Sequence, residues 1–327
     1  MADKLTRLLA ERGVLLADGA TGTTLFDMGL ASGEAPELWC EEHPERIEAL
    51  HRGFVEAGAD IVLTNSFGGS RHRLKLHDAQ GRVRELNRAA AEIARRVAGE
   101  ADREVIVAGS VGPTGELLQP LGDLTYEGAV EAFREQMEGL REGGVDLVWI
   151  ETMSAADEMR AALEAADALG LPAVVTASFD TAGRTMMGLT PADMAEVATG
   201  AIAYGANCGV GASDILASLI EMRPDAPLVV KGNCGIPQFS GATVHYSGTP
   251  DQMAEYARLA VDAGASIVGG CCGTTPAHLR AMREAIDTHQ RRPAPTVETI
   301  VARIGPLTNG PAAAKPDRQR RGRRRAA

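Results

Sequence analysis

The sequence predicts an α/β chain folded as a single (β/α)8 TIM barrel, on three observations. Eight short apolar runs recur along the chain, each bounded by turn residues, as buried parallel strands are. Amphipathic stretches alternate with them over roughly 275 residues, the size and rhythm of such a barrel. The polar and reactive residues gather at the C-terminal ends of the runs, where a barrel of this kind carries its chemistry.

The runs, in order, are VLLADGA (14–20), DIVLTNSF (60–67), VIVAGSVG (105–112), DLVWIETM (146–153), AVVTASFD (173–180), AYGANCGVG (203–211), LVVKGNCG (228–235) and SIVGGCCG (266–273). Between them, 46–59 and 126–144 place apolar residues three and four apart, as helices with one buried face do. Thr190-Pro191, Thr249-Pro250 and Thr275-Pro276 read as N-cap threonines before first-turn prolines. Thr249 and Gln252 complete a capping box. Gly58, Gly144, Gly170 and Gly264 sit where helices end before the next strand. A doubly wound open sheet is the alternative. The strand count favours the barrel, and no GxGxxG follows the first strand.

Of 327 residues, 45% are apolar, enough for a full core, while aromatics are only 4%, so the interior is built from Ala, Val, Leu and Ile. The barrel is expected over residues 1–290, with 291–327 as a C-terminal extension. The formal charge is −11, although Lys315, Arg318, Arg320, Arg321, Arg323, Arg324 and Arg325 face only Asp317 in the tail. An acidic body argues against a nucleic-acid partner. The Arg-rich tail reads as a disordered, solvated end, with binding to RNA or an acidic partner as the alternative. No run approaches a membrane span, and the charged N-terminus lacks the apolar core of a secretory signal, so a cytoplasmic protein is expected. Five cysteines in such a chain point to thiols or metal rather than a disulfide framework. No long heptad marks an oligomer interface, and a homo-oligomer stays open.

At the strand ends lie Asp18-Gly19-Ala20, Thr64-Asn65-Ser66-Phe67, Glu151-Thr152, Asn207-Cys208-Gly209, Asn233-Cys234-Gly235 and Cys271-Cys272-Gly273. Cys208, Cys271 and Cys272 are candidate ligands of a metal, and zinc suits thiolates. Adjacent side chains of a straight strand point to opposite faces. Gly269, Gly270 and Gly273 are expected to let the backbone turn both neighbouring thiols inward. Three protein ligands leave a fourth position open for a substrate thiol, which the metal would deprotonate. Buried apolar cysteine is the alternative. Cys234 and Cys40 read as packing residues, and the seven histidines form no metal-binding pair.

DGATGT (18–23), the Asn207-Cys208-Gly209 turn and GGCCGTTP (269–276), in that order, resemble the zinc-dependent homocysteine S-methyltransferases. The resemblance runs from about residue 10 to about 287. That family includes betaine–homocysteine methyltransferases, S-methylmethionine-dependent enzymes and the homocysteine module of cobalamin-dependent methionine synthase. It implies the barrel fold and Cys208, Cys271 and Cys272 as zinc ligands. It implies that Asp18 and Glu151 meet the homocysteine ammonium, and that the Gly19 and Ala20 amides hold its carboxylate. Two carboxylates against an ammonium, and backbone N–H groups against a carboxylate, are coherent pairings. An ordinary loop acid is the alternative for Asp18. For Glu151, a structural role would need a Lys or Arg partner.

The methyl donor is less determined. Quaternary ammonium groups are held by aromatic faces, so Trp39, Phe67, Phe239 and Tyr246 are candidates, with packing as their alternative role. Thr152 stands where animal betaine enzymes have a tyrosine, and TNSFGGSRHRLKLHD (64–78) is more like the methionine-synthase module. APELW (35–39), GRTMMGLTP (183–191) and the loop at 236–248 resemble bacterial proteins assigned to betaine–homocysteine methyl transfer. The expected reaction is methyl transfer from glycine betaine, or a related onium such as a dimethylsulfonium or S-methylmethionine, to homocysteine. A homocysteine module fed by a separate corrinoid protein is the alternative, and a zinc-binding or thiol redox partner protein is the non-enzymatic one.

Overall fold

A computed structural model describes residues 3–235, 237–240 and 243–308, with side chains left aside at 237–240 and 243–245. The Arg-rich tail and the Phe239 side chain lie outside the described residues. Each of the eight runs contains a strand. They are β1 (Leu15–Leu16), β2 (Ile61–Leu63), β3 (Ile106–Val111), β4 (Leu147–Met153), β5 (Ala173–Ala177), β6 (Ala203–Cys208), β7 (Leu228–Gly232) and, after an antiparallel hairpin of β8 (Pro237–Ser240) and β9 (Thr243–Tyr246), β10 (Ala265–Gly270).

The eight long-range strands pair in parallel in the order β1-β10-β7-β6-β5-β4-β3-β2. The seam between β1 and β2 has a single bridge, Ala17 to Ile61. Two carboxylates stitch it: Leu16 N–H donates to Asp60 Oδ2 at 2.8 Å, and Leu63 N–H donates to Asp18 Oδ2 at 2.7 Å. Side-chain acceptors thus satisfy amides that a longer ladder would have paired.

The helices follow the periodicity. The stretch predicted over 126–144 is the helix Tyr126–Glu142, capped by Thr125 and burying Ala129, Phe133, Met137 and Leu140. The Thr249 capping box opens Pro250–Asp262, and Thr275 opens Pro276–Thr288 with His278 as the reciprocal partner. Gly58, Gly144, Gly170 and Gly264 all take positive φ after helices, a conformation that costs a residue with Cβ.

Two apolar layers result. Outside the sheet, helix faces pack on Val62, Val107, Val148, Val175 and Val230. Inside it, Leu15, Ile61, Ile106, Trp149, Val174, Val229 and Ile267 fill the barrel. The charged N-terminus forms a helix, Lys4–Arg12, whose Leu5 and Leu8 close the bottom of that interior. Within the extension, a helix over Val297–Ile304 docks Ile300 against the outer layer.

Candidate metal and substrate site

The C-terminal ends of the strands enclose a cavity of about 430 Å³. Cys208 ends β6, and Cys271 and Cys272 follow β10 directly. Their three sulfurs lie within 4.8 Å of one another, and all three residues are partly exposed at the cavity floor. Thiolates around a tetrahedral ion at about 2.3 Å would stand about 3.8 Å apart, so the set fits one.

Electrostatics agree with that fit. Cys271 pushes the Cys208 thiol up to about 12, and Cys208 pushes Cys272 up to about 11. Three neighbouring thiolates repel one another, and a cation is the group that lets them ionise together. Cys234 stands outside this cluster, fully buried with its sulfur against Gly248, and Cys40 is buried beside Asn65.

The glycines act less simply than as hinges. Only Gly273 adopts left-handed backbone, at φ +78°, where any Cβ would also strike Tyr246. Gly270 remains in β10, and a Cβ there would come within 2.2 Å of Thr274. It is needed for close approach, so that the chain folds back under the two cysteines. Asn233 ties the two sulfur-bearing loops together: its Nδ2 donates to Gly209 O at 2.8 Å, and its Oδ1 accepts from Cys272 N–H at 3.1 Å. Cys208 itself holds φ +63°, and Thr152 holds φ +61°. Asn207 clamps the Thr152 end, accepting from Thr152 N–H at 2.8 Å and donating to Thr152 Oγ1 at 2.7 Å. One buried amide side chain thus holds the strained backbone at the end of β4.

Beside the thiols lies a charge cluster whose centre is Lys231, a residue the strand pattern passed over. Its Nζ donates to Asp18 Oδ1 at 2.8 Å, and the two side chains are 3% and 1% exposed. Burial works against the lysine's charge, but Asp18, then Glu151 and Cys271, outweigh it and hold it protonated. The signal was legible: a lysine inside an apolar buried strand requires a carboxylate partner.

Several expected contacts need correction. Asp18 sits one layer beneath the cavity wall, because Lys231 and Leu63 N–H engage its two oxygens. The Ala20 N–H donates to Thr274 O at 3.0 Å and is not free for a substrate carboxylate. Gly19 and Ala20 both line the cavity, with Thr21, Gly22 and Thr23 of the following helical turn, whose first amides have no intrahelical acceptor. Trp39 is buried, with Arg46 at 4.8 Å over its ring and His43 against its edge, so its aromatic face is already occupied. Tyr246 stands beside Cys272 and steadies its thiolate form. Phe67 lines the cavity.

Of the two acids expected at the site, Glu151 is the one that reaches the cavity wall, which Glu34 and Glu37 also line. Ser110 Oγ donates to its Oε1, and Asn207 Nδ2 lies 3.5 Å from its Oε2. Burial pushes it above the ordinary carboxylate range, opposed by Lys231 and Ser110. Asp18 and Glu151 both act on the one buried cation, Lys231, and Asp18 takes its hydrogen bond.

Fold and site define a parallel (β/α)8 barrel with three convergent thiols and an acidic pocket at its C-terminal mouth. A sequence profile described as homocysteine S-methyltransferase matches residues 15–286, and the chain belongs to that family. It is 34% identical over 302 residues to a methionine synthase of Mycobacterium leprae, and 34% over 307 residues to that of Mycobacterium tuberculosis. These alignments cover 86% and 88% of the chain but 25% and 26% of the relatives, so the chain spans about a quarter of their length. The metallated form of the homocysteine methyltransferase MmuM from Escherichia coli superposes with a TM-score of 0.71 at 26% identity, covering 86% of this chain and 99% of that one. The apo form of the same protein gives 0.66 at 28% identity.

Proposed function

We propose that the chain methylates the sulfur of homocysteine from a small onium donor, glycine betaine foremost, giving methionine and dimethylglycine. The observation that carries this reading is the convergence of Cys208, Cys271 and Cys272 on the floor of a cavity whose wall presents the carboxyl group of Glu151. The three cysteines would hold zinc, which would keep the substrate sulfur a thiolate at neutral pH.

The remaining work falls to the chain's own residues. Glu151 receives the homocysteine ammonium, and Ser110 and Asn207 hold its carboxylate in place. Asp18 is a positioning residue that acts through Lys231. Gly19 and the first turn of helix Thr21–Asp27 offer amides to the substrate carboxylate. The homocysteine proton leaves to solvent when its thiolate forms. The sulfur lone pair then makes the new S–CH3 bond as the donor's N–CH3 bond breaks, and that electron pair stays on nitrogen. Holding sulfur and methyl in line, about 3–3.5 Å apart, is the cavity's contribution to rate.

A corrinoid donor is the second reading, and two observations favour it. The relatives named methionine synthase are about fourfold longer than the matched region. Exposed apolar side chains, Phe26, Leu76, Leu117, Leu121 and Met186 among them, stand on the segments that follow β1, β2, β3 and β5 at the cavity end, as a docking surface would have them. The test is methionine formation by zinc-loaded protein from homocysteine with glycine betaine, a dimethylsulfonium compound or a methylated corrinoid protein. Turnover with the corrinoid alone overturns the onium reading, and purified protein that takes up no zinc overturns both.

A further inference from the structure

The cavity wall facing the mouth is built by the loop after β2, laid across two glycines of the loop after β3. At Gly112 a Cβ would come within 2.6 Å of the Phe67 ring. At Gly115, with φ +82°, a Cβ would lie 3.4 Å from Cδ and Nη1 of Arg73. One loop therefore seats an aromatic ring and a guanidinium along the same wall, and His77 joins them there. Glu37, its Oε1 accepting from Gly68 N–H at 2.6 Å, lies in the field of both Arg73 and His77. The wall is thus dipolar, with a carboxylate and an aromatic ring inward of a cation.

Arg73 differs from its neighbours. Arg71 is bound to Glu135 at 2.8 Å, and Arg82 is held by Glu41 and Glu85. Among the described residues, neither the Arg73 guanidinium nor the His77 ring has a partner within hydrogen-bonding distance; Arg73 is held through its backbone, its N–H donating to Ser70 Oγ and its carbonyl accepting from Lys75 N–H. An unpaired arginine at the mouth repels a simple onium cation and attracts one that carries its own acid.

We infer that Arg73, assisted by His77, is the specificity-determining group of the donor side, receiving a carboxylate on the donor. The donor is then a zwitterion, with its onium end toward Phe67, Glu37 and the thiols and its acid at the mouth. Arginine pairs with carboxylates in a two-pronged geometry, so the contact sets orientation as well as attraction. Binding energy at that remote end would serve to align the methyl group with the sulfur. This inference rests on the onium reading of the proposed function.

Two sulfonium donors separate the two ideas, because they differ only in the acid. From dimethylsulfonioacetate or trimethylsulfonium, homocysteine thiolate takes a methyl group. The S–CH3 bond of the donor breaks with its pair left on sulfur, and (methylthio)acetate or dimethyl sulfide departs. The quantity to read is the ratio of kcat/KM for the carboxylated donor to that for the plain one. Arg73→Ala should lower this ratio at least tenfold, mainly through the KM of dimethylsulfonioacetate. Arg73→Lys should recover part of it, and His77→Gln should lower it about threefold, as partly exposed charges do. Arg73 is exposed, so thermal melts should confirm that each variant folds. A ratio unchanged within twofold in Arg73→Ala overturns the inference while the onium reading stands. Failure of the unsubstituted protein to use glycine betaine or either sulfonium overturns both.

Discussion

The two ends of the barrel handle buried charge in opposite ways. At the bottom, Asp60 accepts from Leu16 N–H and meets Arg12 and Arg283, the latter at 3.0 Å. Asp146 accepts from Val107 N–H at 2.8 Å and meets Lys4 and Arg95 at 3.1 and 2.8 Å. Each bottom carboxylate has two cations and a backbone donor. At the top, Asp18 and Glu151 share a single lysine, three thiols crowd together, and Thr152 and Cys208 hold left-handed backbone within the strand ends themselves. The same fold thus spends its complementarity at one end on stability and leaves it incomplete at the other, where cations can complete it.

The largest test of this contrast is Cys271→Ser. Metal content should fall from one equivalent toward none, and methionine formation should drop by more than the roughly 10–100-fold typical of residues behind the ligands. Mass-spectrometric metal analysis beside circular dichroism checks both, since the fold should persist. A variant that keeps its metal and its rate would break the comparison at its centre.

Lys231→Met should be the costliest change for stability at the top. It leaves Asp18 buried and unpaired, a loss of about 3–5 kcal/mol by the usual cost of breaking a buried pair. Denaturant unfolding would show it, and the double variant Lys231→Met with Asp18→Asn should regain part of the loss. If Lys231→Met melts like the parent, the top does not depend on its one cation.

A pH effect belongs to neither end. His51, on helix Pro44–Glu56, is fully buried with no partner for either ring nitrogen among the described residues, and burial lowers it to about 4 from 6.5. The folded protein keeps this ring neutral while the unfolded chain protonates it near 6.5. Stability is therefore complete above pH 6.5 and falls by about 3 kcal/mol on the way down to pH 4. His51→Leu should flatten that slope, as read by chemical denaturation across the range.

The smallest expected effect sharpens the contrast most. Glu151→Gln should raise the KM for homocysteine about tenfold, about 1.4 kcal/mol, with little change in melting temperature. Asp146→Asn at the bottom should do the reverse, lowering melting temperature and leaving KM alone. Equal effects on both quantities in both variants would show that the ends are not specialised.

Much of this site could be read from residues in a row. GGCCGTTP and Asn207-Cys208-Gly209 announced three thiols because short segments carry both the sulfurs and the small residues that make room for them. Contacts between distant segments were harder to read. Lys231 and Asp18 are 213 positions apart, and only barrel closure brings them to 2.8 Å. Trp39 looked available to a donor because a sequence does not say which face of a ring another side chain will cover. The N-terminal helix, with its charged surface, gave little sign that Leu5 and Leu8 would close the barrel.

By itself, then, the order of residues determined the eight strands, the helices between them and the three sulfurs at the mouth, because periodicity, caps and short motifs act over a few neighbouring positions. The tertiary structure alone decided which acid reaches the cavity. Asp18 and Glu151 look alike in sequence, and the difference is that closure of the barrel seats Lys231 on one of them and leaves the other facing the cavity.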